Sequence, residues 1–241
     1  MARIRCQYAR LSELADDGAQ LAERWLSLDE RRARDRMHCE TRRLTWVSGR
    51  VLAKRMLLPL LDEMGRHEIT PNEIHIETRS TTLGHGERPV VYVTDCKVDV
   101  GMSIAHTSRG VLVALGRDAE QRLGVDLVCR GDVMVRSLQW SLSPRERQWL
   151  ASSPAHLRTV EQIWALKEAL YKAAQCGEGF TPGRIEVVPG REPRYPGLDP
   201  AAVRRLESWR IDGHFAALAD LVGMSSQCAA ASSQPLMAAS A

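Results

Sequence analysis

The 241-residue sequence has no cysteine pattern that would bind a metal or cross-link a small fold. Its six cysteines lie far apart, without a CxxC pair or a nearby histidine at zinc-finger spacing; they are Cys6, Cys39, Cys96, Cys129, Cys176 and Cys228. Neither a disulfide framework nor a structural zinc site is therefore expected. Separate reduced thiols are typical of a cytoplasmic protein, and that is the location we expect.

Long apolar runs are also missing. No stretch approaches the roughly 18 consecutive apolar residues of a membrane-spanning helix. The opening MARIRCQYARL lacks the continuous apolar core of an export signal. We therefore expect no membrane partner.

The excess of charge of either sign is small. Lys and Arg number 33 against 30 for Asp and Glu, which leaves a net charge of +3, and aromatic residues make up only 5%. A nucleic-acid-binding module that uses arginine-rich helices is a weaker hypothesis, because such modules usually carry a strong basic excess or a basic-aromatic motif. We expect no nucleic acid partner.

Hydrophobic periodicity predicts an α+β fold. Apolar residues at near-helical spacing predict a helical stretch from about Asp29 to Leu61, and further helices are predicted at Pro144–Leu150 and Thr159–Ala174. The segment from Glu68 to Val128 consists of short β-rich runs separated by turn residues. Its last two runs, VLVALG and RLGVDLV, are expected to form a hairpin through residues 118–122.

The order of these elements predicts two similar lobes, each a small antiparallel sheet packed with helices. The runs RIEVV, LESWRI and HFAALADLV are expected to complete the second sheet. The expected boundaries are residues 1–119 for the N-terminal lobe and 120–223 for the C-terminal lobe. The small, serine-rich tail 224–241 has little to bury and is expected to be disordered.

One helical face in the segment IWALKEALYKAA combines an aromatic ring, a carboxylate and two ammonium groups. Its residues recur at i, i+3, i+4, i+7 and i+8: Trp164, Lys167, Glu168, Tyr171 and Lys172. The opposite side is apolar and can pack into a core. A solvated amphipathic helix is the ordinary alternative, although it leaves the large ring on the polar face unexplained.

Basic residues crowd the helical stretch near the N-terminus. They are Arg31, Arg32, Arg34, Arg36, Arg42, Arg43, Arg50, Lys54 and Arg55. Such a run is more often a solvated face, but it is also suited to an anion. It indicates a phosphate site only if another feature requires one.

Four features in a fixed order carry a family resemblance. Arg88-Pro89 comes first, the segment Ser103 to His106 second, Gly124 to Asp126 third, and the helix Trp164 to Lys172, followed by GEGF, last. Together they resemble the 4′-phosphopantetheinyl transferase superfamily, in its larger two-lobed class of the surfactin-synthetase-activating type. The resemblance extends from about Asp29 to Val188.

The resemblance implies the pseudo-twofold fold of this superfamily, together with its reaction and its partners. An enzyme of this family transfers the 4′-phosphopantetheine arm of coenzyme A to a serine of an apo acyl or peptidyl carrier protein and releases adenosine 3′,5′-bisphosphate. Mg²⁺ neutralises the pyrophosphate and needs only one or two protein carboxylates besides the substrate oxygens. A monomer that serves polyketide or nonribosomal-peptide synthesis is implied by family analogy, while fatty-acid synthesis stays open.

Matching positions receive the family's catalytic and metal-binding roles. Asp126 and Glu168 are implied to bind Mg²⁺, and Lys172 is implied to contact the pyrophosphate. Glu168 is also a candidate for activating the serine hydroxyl, but a carboxylate beside Mg²⁺ is a weak base, so we favour its metal role. Lys167 is expected to hold phosphate or the helix register, and Trp164 to pack against the site.

Other matching positions are implied to bind coenzyme A. His106 matches a phosphate-binding histidine, and Arg88 with Pro89 matches a loop near the nucleotide. In the basic helices, Arg31 and Arg34 are our candidates for the 3′-phosphate, because Arg suits bidentate phosphate contacts. Glu146 is either a supporting carboxylate or a charge at the N-terminus of a helix.

Two positions depart from the family pattern. Val128 stands where a second acidic residue usually follows the metal-binding aspartate by two positions, and Ala105 replaces a small hydroxyl residue. We expect a water molecule to take the missing ligand's place, since Mg²⁺ commonly keeps several waters. The alternative is a non-catalytic relative that binds coenzyme A or a nucleotide without transferring anything.

Overall fold

The computed structural model describes residues 4–15, 18–78, 87–118, 120–129, 140–152, 159–175 and 179–222. The tail that we expect to be disordered, and the first half of the GEGF segment, lie outside the described residues. Within them, no helix is both long enough and apolar enough to cross a bilayer.

The first half of the chain combines helices with two small sheets. It contains, in chain order, β1 (Arg5–Arg10), α1 (Leu11–Ala15), α2 (Gly18–Trp25), α3 (Leu28–Asp35), α4 (Glu40–Glu63), β2 (Ile74–Glu77), β3 (Val90–Val93), β4 (Cys96–Val98), β5 (Gly101–His106) and β6 (Gly110–Gly116). The predicted continuous helical stretch is thus interrupted at residues 36–39, and α4 is its long second part. A short 3₁₀ turn, Pro71–Glu73, leads into β2.

In its described residues, the second half combines helices with one small sheet. It contains β7 (Arg122–Cys129), α5 (Pro144–Ala151), α6 (Val160–Ala174), the 3₁₀ turns Pro182–Arg184 and Pro200–Ala202, β8 (Val203–Ile211) and β9 (His214–Leu221). The strand orders are β1-β6-β5 and β2-β3-β4 in the first half and β7-β9-β8 in the second, and all pairings are antiparallel. The predicted α+β class with small antiparallel sheets packed by helices is confirmed.

Two strand predictions are wrong. The runs VLVALG and RLGVDLV, now β6 and β7, form no hairpin: β6 pairs with β1 and β5 on its two edges, whereas β7 pairs with β9. The prediction omitted both β1 and β5, which occupy the two edges of β6 and leave none for a hairpin with β7. The run RIEVV forms no strand of the second sheet and makes only an isolated bridge between Glu186 and Arg194.

The two halves share a buried Glu–Lys motif. In the first half, the carboxylate of Glu30 accepts hydrogen bonds from the backbone N–H groups of Ser27 and Ile76 at 2.9 and 3.1 Å, and it pairs with the ammonium of Lys54. The same ammonium donates to the carbonyl oxygens of Trp25 and Pro71 at 2.7 and 3.0 Å. The carboxylate and the ammonium of this buried ion pair therefore each have hydrogen-bond partners in the backbone as well.

The second half repeats the motif group by group. The carboxylate of Glu146 accepts from the N–H groups of Ser143 and Val187, both at 2.7 Å, and pairs with Lys167 at 2.8 Å. Lys167 also donates to the carbonyls of Ser141 and, at 2.9 Å, Pro182. In each half a Ser-x-x-Glu capping box starts a helix, and the lysine comes from the long helix that follows.

A shared apolar cluster joins the halves. The first half contributes side chains of β5 and β6 and the second half side chains of β7 and β9; the fully buried members are Ala105, Leu112, Ala114, Leu123, Val125, Leu127, Ala216 and Leu218. Each half has its own larger core besides, one around α4 and one around α6. Removal of this apolar surface from water stabilises the contact between the two lobes.

A glycine allows α6 to lie directly against β7. A Cβ atom on Gly124 would stand 1.9 Å from the carbonyl oxygen of Ala169 and 2.6 Å from the backbone nitrogen of Ala173. Any side chain there would force the helix away from the strand. Because residues two apart in a strand point to the same face, Asp126 faces the same helix one step further along.

Candidate active site

The facing surfaces of β7 and α6 bring two carboxylates and an ammonium together. The Nζ atom of Lys172 lies 2.6 Å from Oδ1 of Asp126 and 3.3 Å from Oε2 of Glu168. On the same helix, the indole N–H of Trp164 donates to Oε1 of Glu168 at 2.7 Å. Three residues that the sequence predicts to work together are thus in contact, and a fourth orients one of them.

Aromatic packing holds Trp164 in place. Its ring makes an edge-to-face contact with Phe180, with centroids 5.4 Å apart, and Phe180 also contacts the ring of Tyr171 at 5.1 Å. The ring therefore belongs to a small aromatic group beside the carboxylates, and it is not an isolated aromatic on a wet helix face. A fixed indole fixes the rotamer of Glu168 through the hydrogen bond.

The environment shifts the pKa values of the clustered groups. Burial raises the pKa of Asp126 to about 7, with a further rise from Glu168, against the lowering effect of Lys172. Burial opposes the charged form of Lys172, but the two carboxylates outweigh it and raise the lysine pKa. Partial desolvation, together with the positive charges of Lys172 and Arg42, lowers the pKa of His106 and so disfavours its protonated form.

The two carboxylates suit a divalent cation that prefers oxygen ligands. The Oδ2 atom of Asp126 is buried and has no hydrogen-bond partner, which is costly unless something else binds that oxygen. Within the described residues no group of three or more His, Cys, Asp or Glu side chains could hold a metal ion. Two carboxylates completed by water and substrate oxygens fit Mg²⁺, which commonly takes one or two protein ligands.

Val128 contributes no ligand. Its side chain is buried in the core around α6, next to the aliphatic side chains of the helix. It also lines the edge of the cavity that contains Asp126, Glu168 and Lys172, whose volume is ≈ 490 Å³. The position where the resemblance leads us to expect a second acidic residue therefore carries an apolar side chain here.

A second cavity of ≈ 270 Å³ adjoins the first. Its lining includes Arg88, Pro89, His106 and Lys172, together with Arg50 from α4. His106 and Lys172 line both cavities, so the carboxylates and the basic lining form one continuous cleft between the lobes. Four of the sequence-predicted ligand-binding residues meet here.

The side chain of Arg88 is positioned by the C-terminal end of α6. Its Nε donates at 3.1 Å to the side-chain carbonyl oxygen of Gln175, the residue that ends the helix in a left-handed conformation with φ of 43°. Burial and nearby Arg122 lower the pKa of Arg88. A desolvated guanidinium at a cleft wall favours an anionic ligand.

Lys167 does not line the cleft, where a phosphate-binding residue would have to lie. Its side chain is 1% exposed, and its ammonium is already bound by Glu146 and two backbone carbonyls. The structure therefore favours the alternative that Lys167 holds the helix register. Glu146 likewise is the partner of Lys167 and caps α5, and it does not reach the cleft lining.

Arg31 and Arg34 are engaged on the surface of α3. Arg31 pairs with Glu23, and Arg34 pairs with Asp35 at 2.7 Å. Neither lines the two cavities described above. Their expected contact with a 3′-phosphate therefore has no support from the geometry.

Sequence reasoning missed Arg50 and Trp46 as cleft residues. The guanidinium of Arg50 is buried, stacks on the Trp46 ring with 4.6 Å to the centroid, and donates to Oγ1 of Thr78 at 2.9 Å. Burial lowers the pKa of Arg50 to about 10. The sequence does contain an indication of this role. Arg50 and Lys54 are basic residues on the apolar face of α4, and a buried charge needs a partner or a ligand.

Comparison with known proteins gives a match to one family model and matches to solved structures. Residues 122–219, less than half of the chain, match the family model of the 4′-phosphopantetheinyl transferase superfamily. A solved structure of a holo-(acyl-carrier-protein) synthase from Bacillus anthracis str. Ames, in complex with CoA (3′,5′-ADP), is similar at 21% identity. That match covers 47% of this chain and 92% of the other, with a TM-score of 0.36. No curated protein matches the chain.

Proposed function

We propose that the protein transfers the 4′-phosphopantetheine moiety of coenzyme A to a serine of an apo acyl or peptidyl carrier protein. The observation that carries the proposal is the contact of Asp126, Glu168 and Lys172 in a cleft that continues along Arg88 and His106. The superfamily match includes the three contacting residues, since all lie within 122–219. The products are a holo carrier protein and adenosine 3′,5′-bisphosphate.

Each residue of the cleft has a role that suits its charge. Asp126 and Glu168 would hold Mg²⁺, which neutralises developing charge on the pyrophosphate oxygens when bound. Lys172 and Arg88 present cations to phosphate groups, and His106 can donate one ring N–H to a phosphate oxygen. Trp164 orients Glu168 through the hydrogen bond that its indole N–H donates.

The finer assignment to the larger, two-lobed class is part of the proposal. Both walls of the cleft come from this one chain, β5 and α4 from the first half and β7 and α6 from the second. A single chain therefore supplies a complete cleft, which supports action as a monomer. The cytoplasm is the proposed location, because coenzyme A and unmodified carrier proteins must both be present.

The proposal is tested by mass spectrometry of carrier proteins. The protein is incubated with Mg²⁺, coenzyme A and a panel of apo carriers from fatty-acid, polyketide and nonribosomal-peptide synthesis. At least one carrier should gain the mass of a single phosphopantetheinyl group, and Asp126→Ala or Glu168→Ala should reduce the rate by about 100-fold or more. An unchanged carrier mass across the panel, with a positive-control transferase active, would contradict it.

A second candidate is a relative that binds coenzyme A without transfer. It is favoured by Val128, which leaves the metal position with only two protein carboxylates. This candidate predicts binding of coenzyme A by calorimetry with no turnover. Transfer that appears only in Val128→Glu would identify the missing carboxylate as the cause.

A further inference from the structure

Lys172 occupies the space between the two carboxylates that suit a metal. Its ammonium stands 2.6 Å from Asp126 and 3.3 Å from Glu168, so it acts as the counter-ion of both. A divalent cation that bound the two oxygens contacted by Lys172, Oδ1 of Asp126 and Oε2 of Glu168, would need the space that the ammonium fills. The two cations would also repel each other strongly at such short range inside a partly desolvated cleft.

Two lysines on the same helix differ in their freedom to move. Lys167 is fully enclosed and bound by a carboxylate and two carbonyls. The side chain of Lys172 is 31% exposed, and among the described residues its hydrogen bonds and ion pairs go to Asp126 and Glu168 alone. Of these two lysines, only Lys172 can leave its position without breaking hydrogen bonds to backbone carbonyls.

The neighbouring cavity offers Lys172 a place to go. Its side chain lines both cavities, and the ≈ 270 Å³ cavity is bordered by the basic groups of Arg50 and Arg88, by His106 and by one acidic residue, the exposed Glu87. Without an anion that cavity is unfavourable for another positive charge. With phosphate groups bound there, the ammonium gains a partner of opposite charge.

We propose that Lys172 competes with the divalent cation for Asp126 and Glu168, and that phosphate groups of coenzyme A release the competition by drawing the ammonium away. Metal and coenzyme A then bind cooperatively through one lysine, and by linkage each raises the affinity of the other by the same factor. The inference rests on the proposed function only in naming coenzyme A as the source of the phosphates.

The test measures metal affinity and needs no turnover. Mn²⁺ is titrated into the protein with and without coenzyme A, and free Mn²⁺ is followed by electron paramagnetic resonance. Without coenzyme A, Lys172→Met should bind Mn²⁺ about 5- to 150-fold more tightly than the unaltered protein, the usual range of a coupling between two sites. Coenzyme A should tighten Mn²⁺ binding by a larger factor in the unaltered protein than in Lys172→Met.

Control variants test whether the positive charge of Lys172 is what weakens Mn²⁺ binding. Lys172→Arg keeps the charge and should bind Mn²⁺ as weakly as the unaltered protein. Lys97→Met removes an exposed ammonium from β4 and should change nothing. Adding Asp126→Asn to Lys172→Met should abolish the gain. Circular dichroism and thermal melting check that each variant folds, and Lys172→Gln replaces Lys172→Met if the latter does not.

Two outcomes overturn the competition. One is equal Mn²⁺ affinity in Lys172→Met and the unaltered protein without coenzyme A, and the other is equal tightening of both by coenzyme A. Either result in a protein that still modifies a carrier leaves the proposed function intact. Conversely, the expected Mn²⁺ pattern in a protein that modifies no carrier supports the competition and contradicts the transferase.

Discussion

The raised pKa of Asp126 makes the free energy of unfolding depend on pH. The pKa of Asp126 rises from 3.8 to about 7 on folding, chiefly because the group is buried. Between those values the folded state binds more protons than the unfolded state, so the free energy of unfolding falls as the pH rises. The raised pKa of Lys172 acts only above this window.

Asp126→Asn should therefore stabilise the metal-free protein at high pH. The amide cannot ionise, so the variant avoids the cost of burying a charge, and its melting temperature should exceed that of the unaltered protein at pH 8. The difference should shrink as the pH falls towards 4. Thermal melts in a chelator across this range measure it, with the exposed Asp99→Asn as control. A variant that melts lower at pH 8 would contradict the account.

Individual site residues differ in how far sequence could identify them. Asp126, Glu168 and Lys172 were paired by the order of their motifs, and the structure brings them into contact, although their roles stay predictions. On a helical projection, Lys167 lies on the same face as Glu168. Its side chain nevertheless points into the core, where it pairs with Glu146. Periodicity cannot show that partner, since it comes from another helix.

Buried Glu–Lys pairs at the ends of helices should dominate the response of each lobe to substitution. Glu146→Gln leaves Lys167 buried without a full counter-charge and should cost about 3–5 kcal/mol. Replacing both partners in Glu146→Gln with Lys167→Met should cost less than the single change. Urea unfolding measures the difference.

An exposed ion pair provides the control for this prediction. Glu23→Gln removes the partner of Arg31, and the Glu23 side chain is 61% exposed. Such surface pairs contribute about 0–1 kcal/mol, so the variant should unfold close to the unaltered protein. A loss from Glu23→Gln as large as that from Glu146→Gln would show that burial is not the deciding factor.

Helices were predicted more accurately than strand partners. The helix predicted at Thr159–Ala174 is observed at Val160–Ala174, because Thr159 caps it and a 3.6-residue apolar period runs through it. Strand β1 was missed, since RCQYAR has charged ends and a half-exposed pattern with little apolar alternation. Because β1 and β5 are both absent from the predicted strands, β6 is assigned to the next predicted strand, β7.

The whole molecule should unfold in one transition in spite of its two lobes. The apolar cluster between β5, β6, β7 and β9 belongs to both halves, so loss of either half exposes the other. In addition, Tyr8 and Arg10 of β1 donate to the carboxylate of Asp212 in the β8–β9 turn, with Tyr8 Oη 2.7 Å from Oδ2. These contacts connect the first strand to the last hairpin.

Glu30→Gln tests this cooperativity. The change removes the buried counter-ion of Lys54 in the first half only, and it should lower the urea midpoint of the whole protein. Far-UV circular dichroism and tryptophan fluorescence should still give coincident curves, because Trp residues lie in both halves. Two separated transitions would show that the lobes unfold independently.

Each half has one buried lysine in its long helix, Lys54 in α4 and Lys167 in α6. Equivalent positions of the two helices can therefore be compared by counting from these lysines. Counted from Lys167, the positions −3, +1 and +5 hold Trp164, Glu168 and Lys172, whereas counted from Lys54 they hold Val51, Arg55 and Pro59. At these three positions α6 carries side chains to which the proposed function gives a role in the cleft, and α4 does not. Of these α4 positions Val51 is buried in the core, whereas Arg55 and Pro59 are exposed. A protein engineer could therefore vary the two exposed positions to tune solubility or attachment while leaving the reacting groups untouched.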